Sequence, residues 1–89
     1  MTPLDVQGLI YDAILKRGAS GAGKWYLVIK SDELVCVPKG KLKAGQISFG
    51  IITETDGLLG LEQRPLNLIV AKILVYLRIT GKCLTPLKQ

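Results

Sequence analysis

Gly18-Ala19-Ser20-Gly21-Ala22-Gly23-Lys24 matches the G-x-x-x-x-G-K spacing with which backbone amides and a lysine cradle phosphates. That chemistry needs the loop to follow a strand and open a helix, with a Ser or Thr after the lysine to hold magnesium. Trp25 stands in that last position. Helical periodicity precedes the loop and strand-like residues follow it, the reverse of the order a nucleotide site requires. The segment therefore reads as a glycine-rich connector, with Lys24 kept as a candidate contact to nucleic-acid phosphate.

Lys39-Gly40-Lys41-Leu42-Lys43 sets three cations at alternate positions. In an extended chain they project to one side and make a phosphate-contacting finger; the plainer reading is a solvated loop between two strands. Trp25 and Tyr26, next to Lys24, are a candidate stacking platform for unpaired bases, although adjacent strand residues face opposite ways and one of the two is expected inside. After Glu62 the chain carries Arg64, Lys72, Arg78, Lys82 and Lys88 and no acid. The candidate nucleic-acid-binding set is thus Lys24, Trp25, Lys39, Lys41, Lys43, Arg64, Lys72, Arg78 and Lys82.

Catalysis finds little to work with. Histidine is absent, which removes the commonest general base and metal ligand near neutrality. Glu54 and Asp56 stand two apart with no third acid nearby, and turn chemistry explains Asp56. Ser20, Ser31 and Ser48 lack a histidine to activate them. Cys36, between Val35 and Val37, reads as an inert buried thiol. No enzymatic activity, metal or cofactor is expected. With only Cys36 and Cys83, one disulfide at most is available, so reduced thiols in the cytoplasm are the expectation, and the first residues show no secretory leader.

The elements that must position these residues follow from periodicity and turn chemistry. Thr2, Pro3 and Asp5 are a helix start, and Val6, Leu9, Ile10, Ala13 and Ile14 form one buried face of a helix over Pro3–Lys16. Leu4, Gly8, Tyr11 and Leu15 form a second stripe nearly opposite. Trp25–Lys30 and Leu34–Val37 read as a hairpin around Ser31, Asp32 and Glu33, and Lys39–Gln46 as a polar loop. Ile47–Thr55 and Leu58–Glu62 flank Asp56-Gly57, a strong hairpin signal. Pro65 to about Thr80 reads as a long helix stopped at Gly81, with strand the competing assignment because of its β-branched residues. Leu66, Ile69, Val70, Ile73 and Leu77 make one apolar face of it; Leu68, Ala71, Val75 and Ile79 make another.

The expected fold is α+β: an N-terminal helix, a four-stranded antiparallel meander and a long apolar C-terminal helix, as one domain over residues 1–82 with 83–89 a loose tail. Bulk numbers agree with a single folded domain: 89 residues, 48% hydrophobic, 21% charged and net charge +5, with mean hydropathy +0.33. The apolar run 66–79 is interrupted by Asn67, Lys72 and Arg78 and is too short to span a membrane. Surplus apolar surface on both helices asks for a partner, and a homodimer through Leu68, Val75 and Ile79 or through Leu4, Tyr11 and Leu15 is the expectation. Two functions follow: a small, basic, homodimeric nucleic-acid-binding or regulatory protein whose lysine loop and C-terminal cations meet phosphates, or a protein-interaction module whose charge serves solubility.

Overall fold

Thr2 and Asp5 close the first helix reciprocally: the Thr2 amide donates to Asp5 Oδ2 at 2.9 Å and the Asp5 amide donates to Thr2 Oγ1 at 3.2 Å. Two amide groups near the helix start are satisfied in this way, and the carboxylate lies at the positive end of the dipole. The helix α1 spans Pro3–Lys16, the range its periodicity predicts. The Thr2 amide, and less strongly the Thr2 hydroxyl, hold the Asp5 carboxyl below its usual 3.8. Lowering in the folded state means that the cap's stabilisation is complete above that ordinary value and is lost as pH falls through the folded one. Thermal midpoints measured between pH 5 and pH 2 should show an acid-dependent fall that Asp5→Asn removes.

The computed structural model describes residues 1–16, 24–53 and 63–85. After α1 come β1 (Lys24–Lys30), β2 (Glu33–Pro38), a 3-10 turn (Lys39–Lys41), β3 (Gly50–Thr53) and α2 (Gln63–Thr80). Fourteen and eighteen residues of helix thus flank three strands. The β1–β2 hairpin turns on two residues, Ser31 and Asp32, both left-handed at φ 51° and 61°, as a tight hairpin of primed type demands. Glu33, expected in the turn, is the first residue of β2 and pairs with Lys30.

The sheet departs from the expected meander in its strand order and in its extent. Its order is β2-β1-β3, all antiparallel neighbours, so β1 is central and β3 pairs with it rather than with β2. No two-residue turn follows β2. It ends on Pro38, which has no amide to donate, and residues 39–49 then carry the chain to the other edge of β1. No fourth strand is seen among the described residues; Leu58–Glu62 and the Asp56-Gly57 turn lie outside them. β3 also starts at Gly50 rather than Ile47, its described ladder running from Gly50 opposite Leu27 to Thr53 opposite Lys24; Glu54 and Thr55 lie outside the described residues.

Both helices pack on one face of the sheet. Leu27, Leu34 and Ile52 look into a core completed by Val6, Leu9, Ile10, Ala13 and Ile14 of α1 and Leu66, Ile69, Val70, Ile73 and Leu77 of α2. Phe49 joins it edge-on to Tyr76, with ring centroids 5.2 Å apart. Every residue assigned to the first face of each helix is buried. Gly50 allows α2 to sit directly on β3: a Cβ there would stand 2.6 Å from Ile69 Cδ1. α2 is helical despite its β-branched residues and begins at Gln63, two residues before Pro65. It ends at Gly81, whose φ of 71° is the left-handed stop and whose amide donates to the Leu77 carbonyl.

The segment after α2 is seated rather than loose over its described part. Leu84 is buried, and the Thr85 amide and hydroxyl both donate to the Asp32 carbonyl, at 2.8 Å and 3.3 Å. Apolar burial and a backbone bond together fix a segment that sequence periodicity alone leaves unplaced. Residues 86–89 lie outside the described residues.

Candidate functional site

Trp25 and Tyr26 divide between the sheet's two faces, and the register decides which goes where. Trp25 is half-buried against the core, on the helix side with Leu27 and Ile29. Tyr26 faces away from the helices, opposite Val37 on one side and Ile51 on the other. A base-stacking role for Trp25 would therefore have to use the part of its ring not packed against the core.

The candidate cations fall into separate groups. Pairing of Trp25 with Pro38 brings Lys24, at the start of β1, to the sheet end where the Lys39–Lys41 turn begins. Lys24, Lys39, Lys41 and Lys43 are all exposed. The three loop lysines are not an extended finger, however. A 3-10 turn advances about 120° per residue, so Lys39 and Lys41 diverge instead of aligning. Lys43 enters a second turn in which its amide donates to Gln46 Oε1 and its carbonyl accepts from the Gln46 amide, with Gly45 left-handed at φ 82°.

Arg78 and Lys82 lie at the opposite end. They line a hollow with Met1 and Pro3, beside the segment that reaches the β1–β2 turn through Thr85. Arg64, at the start of α2, is about 21 Å along the helix axis from Arg78 at 1.5 Å per residue. Lys72 is exposed midway. The lysine loop and the C-terminal cations are thus not one continuous surface, because α2 runs away from the lysine end of the sheet. Lys82 Nζ stands 6.0 Å from the Tyr76 ring centroid, at the outer limit of a cation–π contact.

The candidate interface residues do come together. Leu4 is 77%, Leu15 64%, Leu68 60%, Val75 56% and Ile79 78% exposed; their spacing sets them opposite the buried faces of α1 and α2, with Leu68 at the margin, where it shares a hollow with Ile51 and Lys72 at the β3 edge. Tyr11 is half-buried and packs partly on the core. α1 and α2 are neighbours and run antiparallel, since Pro3 at one helix start lies across a shared hollow from Arg78 near the other helix end. The two stripes therefore form the outer surface of a single helical layer.

Ile51, exposed at 51% beside fully buried Ile52, is an apolar surface residue outside the candidate set. Two adjacent isoleucines in one strand are its signal, because one must point each way. Val28 is also fully buried although it points away from the helices. Among the described residues no group of three acids or cysteines is placed to hold a metal ion, and no helix is long and apolar enough to cross a membrane. The glycine-rich segment before Lys24 and the Glu54–Asp56 pair lie outside the described residues. No protein-family model, characterised protein or solved structure matches the chain.

Proposed function

We propose that this protein is a non-catalytic association module that works as a homodimer, with the outer surface of its helical layer as the contact. The observation that carries the reading is the set of five large apolar side chains at least half exposed on that one layer. A small domain leaves such a surface to water only at a cost in solubility, and burial against a partner removes it. The lack of histidine favours a binding role over a catalytic one. Light scattering at tens of micromolar should return about twice the 9.7 kDa of the single chain. A mass of one chain throughout that range would overturn the reading.

A second reading is favoured by the lysine end of the sheet. Lys24, Lys39, Lys41 and Lys43 are exposed there, and together they are suited to the phosphates of a nucleic acid. Fluorescence anisotropy with random single- and double-stranded oligonucleotides should then show binding that weakens steeply with salt. Replacing Lys39, Lys41 and Lys43 together by alanine should lower the slope of log K against log salt by about 3 on duplex DNA. Binding indifferent to both salt and substitution would remove the lysine end from the account.

A further inference from the structure

We infer that two copies of the chain pair about a two-fold axis parallel to their helices, so that α1 of each lies on the partner's α2 and Asp12 of each meets the partner's Lys72. The inference rests on the helical layer being the contact surface and specifies the arrangement that contact takes.

The two stripes match in length. Leu4 and Leu15 are eleven positions apart on α1, and so are Leu68 and Ile79 on α2, about 16 Å in each case. Within one protomer the helices are antiparallel with Pro3 near Arg78. An axis parallel to the helices preserves heights. Leu4 then comes opposite the partner's Ile79, Gly8 opposite the partner's Val75, and Leu15 opposite the partner's Leu68.

Gly8 supplies a second reason. It lies inside α1, where glycine is disfavoured, yet apart from its chain neighbours and the backbone of its own helix no described heavy atom is within 4 Å of the place its Cβ would take. Nothing among the described residues asks for a glycine there. In the paired arrangement Gly8 is a notch at the middle of the stripe that admits the partner's Val75 and lets the two helices approach closely.

Charge selects this axis over the other. Asp12 is on the flank of α1 away from α2, sharing a hollow with Leu4 and Leu84. Lys72 is on the flank of α2 away from α1, sharing a hollow with Phe49 and Ile51. A two-fold parallel to the helices lays one outer flank over the other, acid against base, twice per dimer. A two-fold perpendicular to the helices would instead stack α1 on α1 and α2 on α2, acid on acid and base on base.

Asp12→Lys and Lys72→Asp are each expected to raise the dimer dissociation constant about tenfold at low salt, because both ion pairs become like-charge contacts. Mixing the two variants should restore pairing between unlike chains, read by sedimentation velocity with one chain labelled. Both side chains are exposed, so circular dichroism should show an unchanged fold. Weakened single variants with rescue in the mixture support the arrangement. Single variants that pair as the parent does, or a mixture without rescue, overturn it while leaving the helical layer as the contact. A parent chain that stays single at every concentration overturns both.

Discussion

Replacing Ile73 by alanine should destabilise the fold by about 3 kcal/mol, within the 2–5 kcal/mol range of such truncations in a close-packed core. Ile73 is fully buried near the middle of the α2 core face, in one cluster with the equally buried Ile10 of α1 and Ile52 of β3. Two helices and a sheet converge on that cluster, so the space left by the missing atoms has little freedom to collapse. A domain of this size has a total stability of about 4–13 kcal/mol, and the substitution removes a large part of it. Ile73→Val, which keeps the branch, should cost only about 1 kcal/mol. Urea unfolding at low protein concentration would show the difference as a shifted midpoint with unchanged slope; equal midpoints for the two variants would mean that the cluster is looser than its burial implies.

Val75→Asp should separate association from folding. Val75 is two residues from Ile73 on the same helix but points to the opposite side, more than half exposed. The fold of the single chain should change by no more than about 0.5 kcal/mol, as for other surface substitutions. Pairing should weaken at least about a hundredfold, since each dimer would have to bury two carboxylates, and every 1.4 kcal/mol is a factor of about ten. Light scattering should then find the variant as single chains where the parent is dimeric, with the same circular dichroism. A variant that pairs as tightly as its parent would remove the helical layer as the contact.

What sequence could reveal here was set by the range over which each determinant acts. The start of α1 depends on Thr2, Pro3 and Asp5, all within four positions, and its buried face on a spacing that repeats every turn; both are local, and both were legible. Gly81 as the stop of α2 and the hairpin between β1 and β2 are local in the same sense. The partner of β3 is not. Nothing near Gly50–Thr53 states that the strand will lie beside β1 instead of β2, a choice that depends on where residues 39–49 lead. The relative directions of the three alternate lysines are hidden for a related reason: their spacing implies alignment only in extended chain, and the chain after Pro38 coils into a 3-10 turn.

The candidate surfaces divide in the same way. The outward stripes were legible because they are what remains of a helix after its core face is assigned. The separation of Lys39 and Lys41 from Arg78 and Lys82 was not, because it depends on the direction in which α2 crosses the sheet. For Trp25 and Tyr26, alternation shows that they part company, but only the phase of the strand on the sheet sends Trp25 inward.

The bond from Thr85 to the Asp32 carbonyl joins residues 53 positions apart, and that separation bears on the order in which the molecule comes together. The β1–β2 hairpin needs only a two-residue turn and can form early, whereas the contact with Thr85 must wait until β3 and α2 are in place. By then the intervening chain is already folded, and what docking still costs is the ordering of the short stretch after α2, about 1–2 kcal/mol of backbone entropy per residue. Two hydrogen bonds to one carbonyl and a single buried leucine are a modest return on it. The segment 81–85 is therefore expected to be late to dock and early to release, opening as a local unit while the helices and sheet stay packed. Release would uncover the Leu9 side of α1, which shares a hollow with Met1 and Leu84, so the first step of unfolding begins at the N-terminal end of the helical layer.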